Sequence, residues 1–184
     1  MIAYKFLRAD GSSVFTGFRW PLPEDAPGAW VDAPVDPCRS GIHACRLAGL
    51  PYWIGRSLYE VELAGDIVEE PTKLVASRAR LLRRVAAWND GVRDDYTRMC
   101  ADRAHELALG ASPPLEQWDA VIEPSVPEGP ALLGFIAARI AEEREGTAAY
   151  HYERGRQSAW LVERLGLQDA EASWRSHGHG WALP

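Results

Sequence analysis

Ile2, Tyr4 and Phe6 alternate with Ala3, Lys5 and Leu7, a period of two that predicts a strand at the start of the chain. Asp10-Gly11 follows as a turn signal. Val14 to Trp20 carries strand-forming residues and is expected to return antiparallel to that first strand. Pro21, Pro23, Pro27, Pro34 and Pro37 then crowd into 17 residues, a density that predicts no regular element. Gly41-Ile42-His43-Ala44-Cys45 reads as a short strand, and Leu47 to Ile54 as a short helix or turn broken by Pro51. From Ser57 to Leu63 alternation returns, with Leu58, Glu60 and Glu62 on one face and Tyr59, Val61 and Leu63 on the other. Gly65-Asp66 separates this run from Ile67-Val68. Leu74 to Ala87 fits both periods, and the expectation is a strand running into a short helix.

Past Asp90-Gly91 the pattern becomes helical. Val92 to Leu109 predicts a helix with Gly110 at its C-cap, and Ser112-Pro113-Pro114 opens a short one through Ile122. A loop is expected from Pro124 to Pro130. Leu132, Leu133, Ile136 and Ile140 then form a stripe of helical period that reaches about Glu145. Thr147 is placed to cap a last helix that runs to Leu165 and stops at Gly166. The fold class expected is α+β: a small mixed or antiparallel sheet from the N-terminal half, packed against a C-terminal helical half. Its divisions are a strand-rich domain with a proline-rich loop over 1–90, a helical region packed on it over 91–168, and a loose tail over 169–184 that holds His177 and His179.

Composition narrows the class. The chain has 184 residues, 47% of them hydrophobic and 25% charged, ordinary values for a globular protein large enough to bury a core. No run approaches the roughly 20 apolar residues needed to cross a bilayer. The first residues do not resemble a secretory leader, and three cysteines make no disulfide framework. The expected compartment is therefore cytoplasmic. Residues 1–90 hold 11 basic and 11 acidic side chains and residues 91–184 hold 9 and 15, so the whole net charge of −6 falls in the second half. That balance disfavours non-specific binding to nucleic acid. Lys73, Arg78, Arg80, Arg83 and Arg84 are a local exception, suited to a phosphate or else paired with the acidic second half. No glycine-rich phosphate cradle occurs.

Several groups could carry chemistry. Cys38, His43 and Cys45 offer three ligands to a metal, which would need a fourth such as Cys100 or His105. His43 and Cys45 could instead form a nucleophilic pair, or Cys45 could be a buried small hydrophobe; the spacing favours the last, and no metal is expected. Glu60 and Glu62 share a strand face that either meets solvent or lines a cleft. Trp20, Trp30, Trp53 and Trp88 could wall a pocket for a planar ligand. Tyr150-His151-Tyr152-Glu153 reads as helix surface with packing aromatics.

Tyr4-Lys5-Phe6 with Asp10-Gly11, the stretch from Gly41 to Cys45, the stretch from Leu58 to Leu63, and Lys73 through Leu82 resemble a family of uncharacterised actinobacterial and phage proteins over residues 1–88. More distantly, the layout is similar to ADP-ribosyltransferase-like domains. That resemblance implies a split sheet holding NAD, with His43 against the nicotinamide ribose and Tyr4 or Arg8 as weaker matches on the first strand. On this reading the function is NAD-dependent ADP-ribosyl transfer or related ribose-centred chemistry. Glu60 or Glu62 would stabilise charge at the anomeric carbon, Arg78 or Arg80 would hold the pyrophosphate, and Trp53 would help wall the cofactor. It expects one pocket walled by His43, by Glu60 or Glu62, and by Arg78 or Arg80. The alternative is a non-catalytic domain that binds a small molecule or a protein partner.

Overall fold

Alternation carries directly into the sheet. In the computed structural model, which describes residues 1–36, 40–109 and 129–167, β1 is Ile2–Leu7, β2 Val31–Asp32, β3 Ile42–Ala44, β4 Ser57–Glu70 and β5 Lys73–Arg84. These strands form one antiparallel sheet in the order β1-β4-β5-β2, with β3 also on β5. Tyr4 and Cys45 exchange backbone hydrogen bonds of 2.9 and 2.8 Å. The chain leaving β3 thus returns to β1, and the sheet curls round on itself. A 3-10 turn, Leu47–Tyr52, contains Pro51. Three helices follow: α1 Asp90–Ala108, α2 Gly129–Glu145 and α3 Thr147–Leu165. The class is α+β, with helices in the second half of the chain.

The β4–β5 hairpin is the spine of the sheet. Gly65 (φ 71°) and Asp66 bulge out of β4 between Ala64 and Ile67. A Cβ at Gly65 would lie 2.1 Å from Ser77 Oγ, and that hydroxyl accepts the Asp66 N–H at 2.8 Å. A bulge interrupts alternation without ending the strand, which is why one long strand reads as two runs.

Local pattern misjudged three other segments. Val14 to Trp20 does not pair with β1. The partner of β1 is β4, from Ile2–Glu62 to Leu7–Ser57, and residues 12–19 form a loop closed by a bridge between Ser12 and Arg19. The proline-rich segment keeps β2, because Val31 and Asp32 fall in the gap between Pro27 and Pro34 and pair with Ala79 and Arg78. No helix follows Leu74. The ladder to β4 continues to Tyr59–Arg84, so cross-strand bonds satisfy the backbone groups that a helix would have satisfied locally.

Two apolar clusters use the two sides of the sheet. Inside the curl lie Ala3, Leu7, Trp20, Ile42, Tyr59, Val61, Leu63, Leu74 and Leu81. On the other side Tyr4, Phe6, Leu58 and Trp88 meet Tyr96 and Cys100 of α1, Leu133 of α2, and Leu161 and Leu165 of α3. The helical region therefore packs on the strands through one shared core, and Ser158 Oγ of α3 donates to the Leu47 carbonyl at 2.8 Å.

Asn89 caps α1, its Oδ1 accepting the Val92 N–H at 3.1 Å. Leu133, Ile136 and Ile140 are buried as their spacing predicts, with Leu132 half-buried. Pro130, expected in a loop, lies in the first turn of α2, where a missing N–H costs nothing. Gly146, at φ 86°, takes the cap position of α3 without a side-chain bond from Thr147, whose hydroxyl donates to Glu142 at 3.4 Å instead. Glu153, expected on the helix surface, is 1% exposed, and the next residue, Arg154, is 5% exposed. Their partners come from other elements: Glu153 accepts from Arg103 of α1, and Arg154 lies 4.6 Å from the Tyr52 ring centroid. The expected helix over 112–122, the loop from Pro124 to Glu128, Gly110, Cys38 and the 169–184 tail lie outside the described residues. Among those described, no helix is long and apolar enough to cross a membrane.

Candidate functional site

The curl of the sheet and the loop over residues 13–18 enclose a cavity of about 460 Å3. Phe15, Phe18, Trp20 and Trp53 supply aromatic walls, and Lys5 enters from β1. Nζ of Lys5 donates to the His43 carbonyl at 2.6 Å and lies 5.1 Å from the Trp20 ring centroid. Burial brings this ammonium down to about 8, with the nearby Cys45 thiol opposing. Asp32, the one carboxylate among the described lining residues, is exposed and pairs with Arg78 at 3.5 Å. The chain has two lysines against 18 arginines. The second, Lys73, pairs with Glu70 at 3.1 Å.

His43 also lines the cavity. Its Nε2 is buried with no hydrogen-bond partner among the described residues. Burial, then Lys73 and Lys5, hold its imidazole below the usual value, with Glu70 opposing. The ring is neutral at physiological pH. Cys45 lies beside it in the wall, its Sγ donating to the Tyr4 carbonyl at 3.5 Å, and burial pushes the thiol up to about 12. Such a thiol is neither nucleophile nor ready metal ligand, and Cys45 is a buried small hydrophobe. Burial raises Cys100 equally, to about 12, and His105 Nδ1 lies 2.8 Å from the Ala101 carbonyl. Among the described residues no group of three His, Cys, Asp or Glu side chains is placed to hold a metal.

Of the residues singled out for NAD, Tyr4, His43 and Trp53 line this cavity. Glu60, Glu62, Arg8, Arg78 and Arg80 do not. Glu62 accepts from Arg80 Nε at 2.7 Å, and Glu60 from Arg83 Nε at 2.8 Å. Arg78 and Arg80 both lie over Trp30, at 4.9 and 4.6 Å from its centroid. Arg8 is exposed and donates to the Val14 carbonyl. His43 pairs with Val75 while Glu62 pairs with Arg80, five residues further along β5. At the usual strand rise that is about 17 Å. The expected convergence of His43, a glutamate and an arginine on one pocket is therefore not what the fold builds. Four of the run's five members pair within the same half rather than with the acidic second half: Lys73 with Glu70, Arg78 with Asp32, Arg80 with Glu62 and Arg83 with Glu60.

Trp20 and Trp53 meet the expectation of an aromatic wall, whereas Trp88 is core and donates to the Gly55 carbonyl at 3.0 Å. Lys5 was missed as a site residue. The signal for it is a lone cation in a strand whose other inward and outward positions are apolar or aromatic. A second depression, about 470 Å3, lies between α1 and α3, and its charges largely satisfy one another: Arg98 and Arg164 pair with Asp95, and Arg103 pairs with Glu106. Comparison with protein-family models, with curated proteins and with solved structures finds no match to this chain.

Proposed function

We propose that the chain is a non-catalytic ligand-binding domain, whose cavity takes a small, largely aromatic molecule with its anionic end against Lys5. The observation that carries this reading is a cation with no carboxylate partner among the described residues, in an aromatic-lined cavity of about 460 Å3. A buried charge is expensive unless paired, and a ligand anion supplies the partner that the fold withholds. The rings supply apolar contact area, and the backbone carbonyl of His43 fixes where the ammonium sits. ADP-ribosyl transfer would need cations for a pyrophosphate beside His43, and the candidates Arg78 and Arg80 are engaged by Asp32, Glu62 and Trp30.

The test is a fluorescence titration with anilinonaphthalene sulfonate, and separately with NAD, on wild type and Lys5→Met. The sulfonate should bind one saturable site and weaken about tenfold in the variant, equivalent to about 1.4 kcal/mol. Equal affinity in both proteins would remove Lys5 from the site. Saturable NAD binding lost in His43→Ala but kept in Lys5→Met would favour the nicotinamide reading instead.

A further inference from the structure

An amine attacks a carbonyl only as the neutral base, and removal from water is one way a protein maintains that form near neutral pH. Lys5 has the geometry for it. Its Nζ is held by one backbone carbonyl, its neighbour across the ladder is Tyr59 of β4, and Trp20 covers one side. The titratable groups around it are His43 on β3, Cys45 at the end of β3, Tyr59 on β4 and Asp32 on β2, and the last is turned to Arg78. Among the described residues none places a carboxylate on the ammonium.

We propose that Lys5 captures small aromatic aldehydes covalently, as an imine formed within the cavity lined by Phe15, Phe18, Trp20 and Trp53. The inference rests on that cavity being the ligand site. In the step, the Nζ lone pair forms a bond to the aldehyde carbon while the carbonyl π pair moves to oxygen. The nitrogen then gives up its two protons, one after the attack and one as the C–O bond breaks, and the oxygen takes up two and leaves as water. Nitrogen and carbon end doubly bonded, with no oxidant or reductant consumed. The neutral imidazole of His43 lines the same cavity and has a ring nitrogen without a partner, which suits it to relay the proton. The aromatic walls limit the access of water that would hydrolyse the imine.

The full chain is incubated with benzaldehyde and sodium cyanoborohydride, which reduces an imine to a stable amine, and read by intact mass and peptide mapping. Benzyl alcohol, similar in shape and unable to form an imine, reports the cavity alone by saturation-transfer NMR. One benzyl group should appear on Lys5, in at least tenfold preference to Lys73, with a yield that rises as pH passes from 6 to 9. Lys5→Arg should lose the label, whereas Lys73→Arg, outside the cavity, should keep both the label and benzyl alcohol binding. If benzyl alcohol binds but Lys5 is unlabelled, or labelled no better than Lys73, the imine proposal fails and the ligand site stands. If neither compound binds, both fall.

Discussion

Glu153, buried in the helical half, and Lys5, half-buried in the sheet half, are both charged side chains drawn in from water, and the fold treats them in opposite ways. Glu153 is 1% exposed and accepts hydrogen bonds from Arg103 Nε and Arg156 Nη1, each at 3.1 Å. Lys5 receives a backbone carbonyl and the face of Trp20. The first is a closed account: charge, counter-charges and donors all belong to the protein, and the cluster ties α3 to α1. The second has no counter-charge among the described residues and lines the cavity. A paired buried charge reports on architecture, and an unpaired one beside a cavity reports on a ligand. The same contrast separates Lys5 from Arg80 and Arg83 of β5, which find cross-strand glutamates.

The contrast breaks most visibly at Glu153. Glu153→Ala should destabilise the protein by about 3 kcal/mol in urea melts, the lower end for breaking a buried pair, because Arg103 and Arg156 keep partial access to water. A loss below about 0.5 kcal/mol would make the cluster ornamental. Lys5 should behave differently, and its stability effect should depend on pH. The folded ammonium titrates near 8, against 10.5 for a lysine in water, so between those values the unfolded chain holds more protons. Stability then rises with pH in that window, and the burial penalty is fully present below it. Thermal melts of wild type and Lys5→Met should show wild type gaining on the variant from pH 7 to pH 10, and a constant difference would mean that the amine is not desolvated. The smallest effect belongs to Glu60→Gln. It leaves Arg83 on an exposed strand end, should cost about 1 kcal/mol or less, and should not alter sulfonate binding.

The elements themselves were largely legible along the chain. A period of two marks β1 and the first run of β4, and the stripe through Leu133, Ile136 and Ile140 marks α2, because each pattern reflects neighbours that the backbone places locally. Gly166, at φ 61°, stops α3 where a left-handed residue is needed. Tertiary structure decided the rest. Whether β1 pairs with Val14 to Trp20 or with β4, and whether β5 extends to Arg84, depends on strands distant in sequence. The fate of each charge does too. Glu62 meets Arg80 and Glu60 meets Arg83 through the register of a hairpin that shifts twice, between Glu60 and Val61 and between Ala64 and Ile67. Lys5 becomes a site residue because the bridge from Tyr4 to Cys45 curls the sheet and brings Trp20 and the His43 carbonyl onto it. Periodicity says which way a side chain points. It does not say what the opposing surface will hold, and the chemistry of this chain depends on that opposing surface.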